Sequence, residues 1–246
     1  MKLTRVAFKI HRVLSYFVFA QVIAWIAGGV VFALLPFDSV VKGGSLVERP
    51  VARLVANWKS ALQSAKVDPG RVSAVETFAS PLGAAFRLRT AGGSVFVPAD
   101  GSAWRAPDSV AIARWARGLY RGPGTLEGVA RIERDHRRAG IVLEAGPRRD
   151  LWRATFTDRL HTRFYFDGAS GEYLMVRNDA WVLYDFFFRL HVMDYAGGED
   201  FNNLPLRVFA VTALAFAISG AVLTFAAARR ALRRTRPRAG VRGDLS

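Results

Sequence analysis

The sequence predicts an α+β membrane protein in which two transmembrane helices flank an exported domain of two units, each a helix packed on a small antiparallel sheet. Three observations predict it. Two long runs carry no charge, VLSYFVFAQVIAWIAGGVVFALLPF (13–37) and VFAVTALAFAISGAVLTFAAA (208–228). The net charge of +15 is concentrated at the two ends of the chain. Between the runs an approximate repeat places an amphipathic helix ahead of alternating apolar strands twice over.

Residues 1–12 read as a cytoplasmic N-terminus, with four Lys/Arg and no acid. The run 13–37 follows as the first transmembrane helix, roughly 38 Å long as a helix and so able to span a bilayer. A cleaved signal peptide is the alternative, but the run is too long for an h-region. The run 208–228, bounded by Arg207 and Arg229, is the second transmembrane helix at roughly 31 Å. It is followed by a basic cytoplasmic tail, RRALRRTRPRAGVRGDLS (229–246). The two flanks carry ten of the fifteen net positive charges. Basic flanks next to spans place both termini in the cytoplasm of a bacterial inner membrane and residues 38–207 on the outside. A nucleic-acid tail would be expected to interleave aromatics with its arginines and would not abut a span, so no nucleic acid is expected as partner. The absence of cysteine agrees with export and decides nothing more.

The exported segment divides at about residue 106. In the first unit (38–106), Pro50 suits a first helical turn, and Val51, Leu54, Val55, Trp58 and Leu62 recur at helical spacing. Strands are expected over 72–78, 84–90 and 94–101, with Phe86 and Leu88 inward and Arg87 and Arg89 outward. The second unit (107–178) starts with a helix capped by Asp108 and striped by Ile112, Trp115, Ala116 and Leu119. Strand-like segments follow at LEGVARIERD, GIVLEAG and LWRATFTD. A hairpin over 161–177 then turns at Asp167, Gly168 and Gly171. In each unit the helix covers one apolar sheet face.

Residues 179–207 read as an interfacial aromatic helix and a Gly-rich hinge. On a helix, Tyr184, Phe188, His191 and Tyr195 share one stripe, while Asp185 and Arg189 pair four apart on a wet side. Asp194, Glu199 and Asp200 fit no standard cation loop and are expected in outer water at the hinge.

Three stretches resemble the PepSY-associated transmembrane proteins of bacterial inner membranes. KIHRVLSYFVF (9–19) is similar to the family's histidine-arginine start of a first helix, RFYFDGASGEYL (163–174) to its strand-turn-strand, and FFFRLHVMDY (186–195) to a histidine segment before a later span. The resemblance implies two PepSY-like units in the exported domain. Larger members have four or more spans and include siderophore-iron reductases holding b-type haem between helix histidines. PepSY modules elsewhere bind or restrain peptidases. With two spans, this chain departs from a self-sufficient reductase.

A haem iron held by two imidazoles needs two histidines close together. His136, in RIERDHRRAG, reads as a solvated loop residue, and His161 as a structural or surface one. His11 is expected at the cytoplasmic edge of the first span and His191 on the outer side, some 30 Å apart across the apolar core. They cannot share one iron in a monomer. A homodimer, or a second membrane subunit, would supply the missing ligand at each level, making His11 and His191 the candidate haem b and iron-binding residues. The plain alternative makes both interfacial residues. Gln21, Trp25, the Gly28–Gly29 pair and Ser219–Gly220 read as helix-packing positions.

No zinc-protease, phosphate-loop, dinucleotide or hydrolase motif occurs, so no catalytic residue is assigned. Two functions stay open. One is a haem-dependent ferric reductase subunit, fed by a cytoplasmic flavin or nicotinamide reductase and reducing ferric siderophores or similar chelates. The other is a membrane-tethered PepSY module that recruits or restrains an exported partner such as a peptidase, without redox chemistry.

Overall fold

The computed structural model describes residues 2–54, 56, 58–197 and 200–235. The chain is α+β, and it forms two compact units. One comprises Met1–Gly29 and Phe187–Ser246; the other comprises Val30–Phe186. In chain order the described elements are α1 (Lys2–Leu34), α2 (Trp58–Ser64), β1 (Val72–Ser80), β2 (Gly83–Thr90), β3 (Gly93–Pro98), α3 (Ser109–Leu119), β4 (Leu126–Arg134), β5 (Arg149–Phe156), β6 (Arg163–Asp167), β7 (Tyr173–Arg177), α4 (Asp179–Val192) and α5 (Leu204–Thr235).

The long helices α1 and α5 lie at the two ends of the chain, and both are long and apolar enough to cross a membrane. Only 6 % of either apolar window is buried within the protein, which leaves side chains such as Tyr16, Phe17 and Val211 uncovered. α1 ends at Leu34 ahead of Pro36, whose ring disfavours helical backbone in the preceding residue, so Leu35, Pro36 and Phe37 of the first apolar run fall outside it. α5 starts where Asn203 caps it, the side-chain oxygen accepting from Leu206 N at 2.8 Å with Pro205 in the first turn. Both helices extend beyond their apolar runs into the basic flanks.

In the mixed unit, β1-β2-β3 form one antiparallel sheet and β4-β5-β6-β7 another. Phe86, Leu88 and Val97 are buried with Ala61 of α2 and Arg89 stays exposed, as expected for β2, whereas Arg87, expected outward, is largely covered over Phe78 and Phe96 and paired with Glu172. The preceding helix is much shorter than its periodicity predicts. It begins at Trp58, and Val51 and Leu54 are exposed in non-helical chain; Val55 lies outside the described residues. Pattern alone does not nucleate a helix when only its last turn meets a sheet, because fixing the first turn costs more than it returns.

The second helix forms as expected. Asp108 accepts from Ala111 N at 2.8 Å, and Ile112, Ala116 and Leu119 pack on Trp152, Ala154, Phe156, Phe164 and Phe166. The GIVLEAG segment is not a strand. Left-handed backbone at Ala139, Gly140 and Gly146 folds 135–148 into a cover over the far face of the sheet, pinned by one bridge between Arg138 and Val142. Val142 and Ala145 are fully buried as a result, and β6 is closed on both faces rather than alternating.

Beneath the end of α3, Tyr120 stacks on Phe156 and donates to Asp158 at 2.6 Å. Burial and this bond push the Tyr120 hydroxyl up to about 12. Burial would also raise the Asp158 carboxyl, but the bonds from Tyr120, Thr162 and Leu160 outweigh it and hold that carboxyl below its ordinary value. The resulting stabilisation is present above the unfolded pKa of about 3.9 and fades as pH falls through the lowered folded value. Tyr120→Phe should therefore cost about 1 kcal/mol at pH 7 and progressively less below about pH 4. Urea unfolding followed by tryptophan fluorescence at pH 7 and pH 3 checks this, and an unchanged gap between the two would contradict it.

Candidate functional site

In the helical unit α1 and α5 pack against each other. His11 lies in parallel stacking on Phe216, with centroids 4.2 Å apart, and its Nδ1 sits 3.1 Å from Ser219 Oγ and 3.3 Å from the Phe216 carbonyl oxygen. The Ser219 hydroxyl itself donates to that carbonyl at 2.7 Å. With that carbonyl lacking any proton to give, the arrangement suits an Nδ1–H donor, which leaves Nε2 as the nitrogen with a lone pair. A Cβ on Gly220 would come within 3.2 Å of the imidazole, so the glycine is what lets the ring lie against the helix. Ser219 stands nine residues before Ala228, about 14 Å along the axis. His11 thus faces the interior of its partner's apolar run rather than the edge expected for it.

His191 is exposed in the last turn of α4, its ring 5.1 Å from that of Trp25. From His11 to Trp25 is fourteen residues of α1, about 21 Å. The two histidines therefore occupy separate levels, and neither completes a two-imidazole site with the other. Trp25 and Gln21 have a further role: Trp25 Nε1 donates to the His191 carbonyl at 3.2 Å and Gln21 Nε2 to that of Leu190 at 2.9 Å. They are polar tethers as well as packing residues. Gly29 is not a packing position, since nothing lies within 4 Å of a Cβ built on it. Arg189 is buried rather than on a wet side, and Tyr195 lies beyond the helix end.

Asp194 is buried too, not in outer water. Its carboxylate accepts from the backbone of Ala196, Gly197 and Asp200 and so shapes the loop between α4 and α5. Glu199 lies outside the described residues. Among the described residues no cluster of three or more His, Cys, Asp or Glu could hold a metal ion.

The mixed unit carries a buried charge network that the sequence did not reveal. Glu144 and Arg163 are almost wholly buried, and Arg163 Nε lies 3.0 and 2.9 Å from the two carboxylate oxygens. The Tyr165 hydroxyl donates to the same carboxylate, Arg138 reaches it at 3.3 Å, and Arg163 Nη1 bonds Asp179 at 2.9 Å. Burial pushes the Tyr165 hydroxyl up, and Glu144 reinforces the shift, so Tyr165 stays protonated. His161 is on the surface beside Asp179 at 2.7 Å, and His136 is exposed. Every member is engaged within the network, which suits it to hold the 135–148 cover to the sheet rather than to carry out proton transfer.

A cleft of about 500 Å³ lies between β1 and β7, each an outermost strand of its sheet. Lys42, Arg49 and Arg177 line it with Thr77, Phe78, Tyr173 and Trp181. Arg177 stacks at 4.1 Å on Trp181, and its Nε donates to the Glu144 carbonyl at 2.9 Å. Burial lowers the pKa of Arg177 from an ordinary value so high that the group stays charged. Glu172, the one acid in the lining, is taken by Arg87 of β2. Among the described residues, neither Arg49 nor Arg177 has a carboxylate at ion-pair distance. The cleft lining is therefore predominantly positive. No family model, curated protein or solved structure matches this chain.

Removing the buried acid should be far costlier than removing its exposed neighbour. Glu144→Ala strands the Arg163 charge and is expected to cost about 3–5 kcal/mol, whereas Asp179→Asn, at a half-exposed carboxylate, should cost under about 1 kcal/mol. Denaturant midpoints of the two variants measure the difference, and equal losses would refute a cover held by Glu144.

Proposed function

We propose that this chain is a bacterial inner-membrane protein of the PepSY-associated kind, serving as a subunit of transmembrane electron transfer that releases iron from ferric siderophores or similar chelates. In this reading α1 and α5 cross the bilayer, both termini are cytoplasmic, and residues 38–207 face outward as two PepSY-like units, α2 with β1–β3 and α3 with β4–β7. The observation that carries it is His11. Its Nδ1 is held by Ser219 and the Phe216 carbonyl, the kind of outer hydrogen bond that orients a metal-ligating imidazole and leaves Nε2 to the metal.

These residues could supply one ligand to such a group, not two. His11 would hold a b-type haem at this level together with an equivalent imidazole from a second copy or another membrane subunit. His191 would serve a second, outer level in the same way, with Trp25 against its ring. Haem, when bound, supplies a one-electron carrier. The chain's own contribution is to fix the ring's tautomer, exclude water with Phe216 and present the exported units to the acceptor. A cytoplasmic flavin or nicotinamide reductase would be the electron source.

The test is a reduced-minus-oxidised spectrum of the protein purified in mild detergent with haem supplied. The parent is expected to show b-type bands, His11→Ala and His191→Ala each to lose part of them, and Ser219→Ala to weaken haem affinity about 10- to 100-fold. No bands in the parent would remove the reading for the homo-oligomer, and bands surviving both histidine substitutions would remove these ligands.

The cleft supports a second reading, a membrane-tethered module that binds an exported partner without redox chemistry. Two outermost strands beside Lys42, Arg49 and Arg177 suit an extended acidic segment that adds to a sheet edge. An acidic strand-forming peptide titrated onto the protein should lose about 10-fold or more in affinity with Arg49→Gln, the worth of one charged hydrogen bond. Identical binding by parent and variant would set this reading aside.

A further inference from the structure

The largest of the described cavities, about 830 Å³, lies between the first turns of α1 and the last turns of α5. Thr4, Arg5, Phe8 and Lys9 form one wall, spaced as one face of α1. Leu223, Ala226, Arg229 and Arg230 form the other. Four cations thus surround an apolar floor of Phe8, Leu223 and Ala226. Among the described residues no carboxylate is paired with them: the first acid in the sequence is Asp38, and α5 contains none. Two of the cations are positioned by their own helix. Arg229 lies over the Phe225 ring at 4.4 Å, and Arg230 Nε donates to the Ala226 carbonyl at 3.2 Å, which leaves its outer nitrogens to a ligand.

From this we infer that the cavity is a binding site for an anionic phospholipid, best a diphosphatidylglycerol whose two phosphodiesters meet Arg5, Lys9, Arg229 and Arg230 while acyl chain lies on Phe8 and Leu223. A soluble anion uses the cations but not the floor, and a zwitterionic lipid uses the floor but brings its own positive charge to the rim. An anionic lipid matches both, and one with two phosphates engages the four cations most fully. The inference rests on the reading that α1 and α5 are membrane helices, and it holds whether or not haem is bound.

Native mass spectrometry of the full chain in detergent, with each lipid titrated in turn, tests the site. Diphosphatidylglycerol should bind at least 10-fold more tightly than phosphatidylcholine. One cation near an anionic headgroup is worth about 5-fold, so Arg5→Gln with Lys9→Gln should weaken binding about 25-fold, and so should Arg229→Gln with Arg230→Gln. Arg207→Gln, at the other end of α5, should leave it unchanged. Equal affinity for the two lipids, or indifference to both double variants, overturns the site. Pyrophosphate displacing the lipid at equal concentration overturns it as a lipid site and makes it a free-phosphate site. Alkaline carbonate extraction of cell membranes separates the two failures. A chain released into the wash overturns the membrane reading itself, whereas a chain retained without lipid selectivity overturns the site alone.

Discussion

The helical unit depends on how the C-terminal carbonyls of α4 are satisfied. The last carbonyls of any helix lack an intrahelical partner, and leaving them bare in apolar surroundings costs a few kcal/mol each. Here Gln21 takes Leu190, Trp25 takes His191, and Asn203 takes Val192, three consecutive acceptors with three side-chain donors from α1 and the start of α5. Asn203 also caps α5 with its other atom. One amide therefore ends one helix and begins the next, across a loop whose own turn is organised by buried Asp194. The helix end is reinforced because Met193 sits in left-handed backbone at φ +55°, a conformation a side chain adopts only when its surroundings hold it there.

The same device recurs in the mixed unit. Asn178 is fully buried, accepts from Trp181 N to start α4, and donates to the Val40 carbonyl in the π-helical turn Phe37–Val41. Glu144 works similarly at the level of charge. It reaches under the cover to Arg163 and Tyr165, so that an otherwise open sheet face becomes interior. Arg87 then joins the two sheets through Glu76 and Glu172 while lying over Phe78 and Phe96. Buried polar groups thus decide which segments meet, and the aromatic cores fill the space they define.

This division explains what the sequence could and could not tell. The α3 cap and stripe, the alternation of β2 and the two apolar helices are local periodicities, readable because the pattern and the contact are the same residues. The helix predicted from Pro50 failed because its pattern had no sheet beneath its first two turns. GIVLEAG failed because its glycines are turn residues whose positive φ no composition reveals. Ser219, read only as a helix-packing position, and Glu144, left unassigned, were missed for a different reason. Each acts on a residue far away in sequence, His11 at a separation of 208 and Arg163 at 19, and no periodicity links such pairs. The one sequence cue was chemical: an acid within an apolar segment, VLEA, asks for a buried cation.

The geometry around His11 also bears on why that position is a histidine. If its only task were to tether α1 to α5, an asparagine or glutamine would offer the same N–H to Ser219 and the Phe216 carbonyl, as Gln21 and Asn203 do elsewhere in this unit. Their amides bring an oxygen as the second polar atom, a hydrogen-bond acceptor with little affinity for haem iron. An imidazole brings instead a nitrogen fixed about 2 Å from the first by its ring. Stacking on Phe216 and the close approach of Gly220 hold that ring in one plane. What the ordering of the ring achieves is a defined direction for Nε2, which the proposed haem ligation would use.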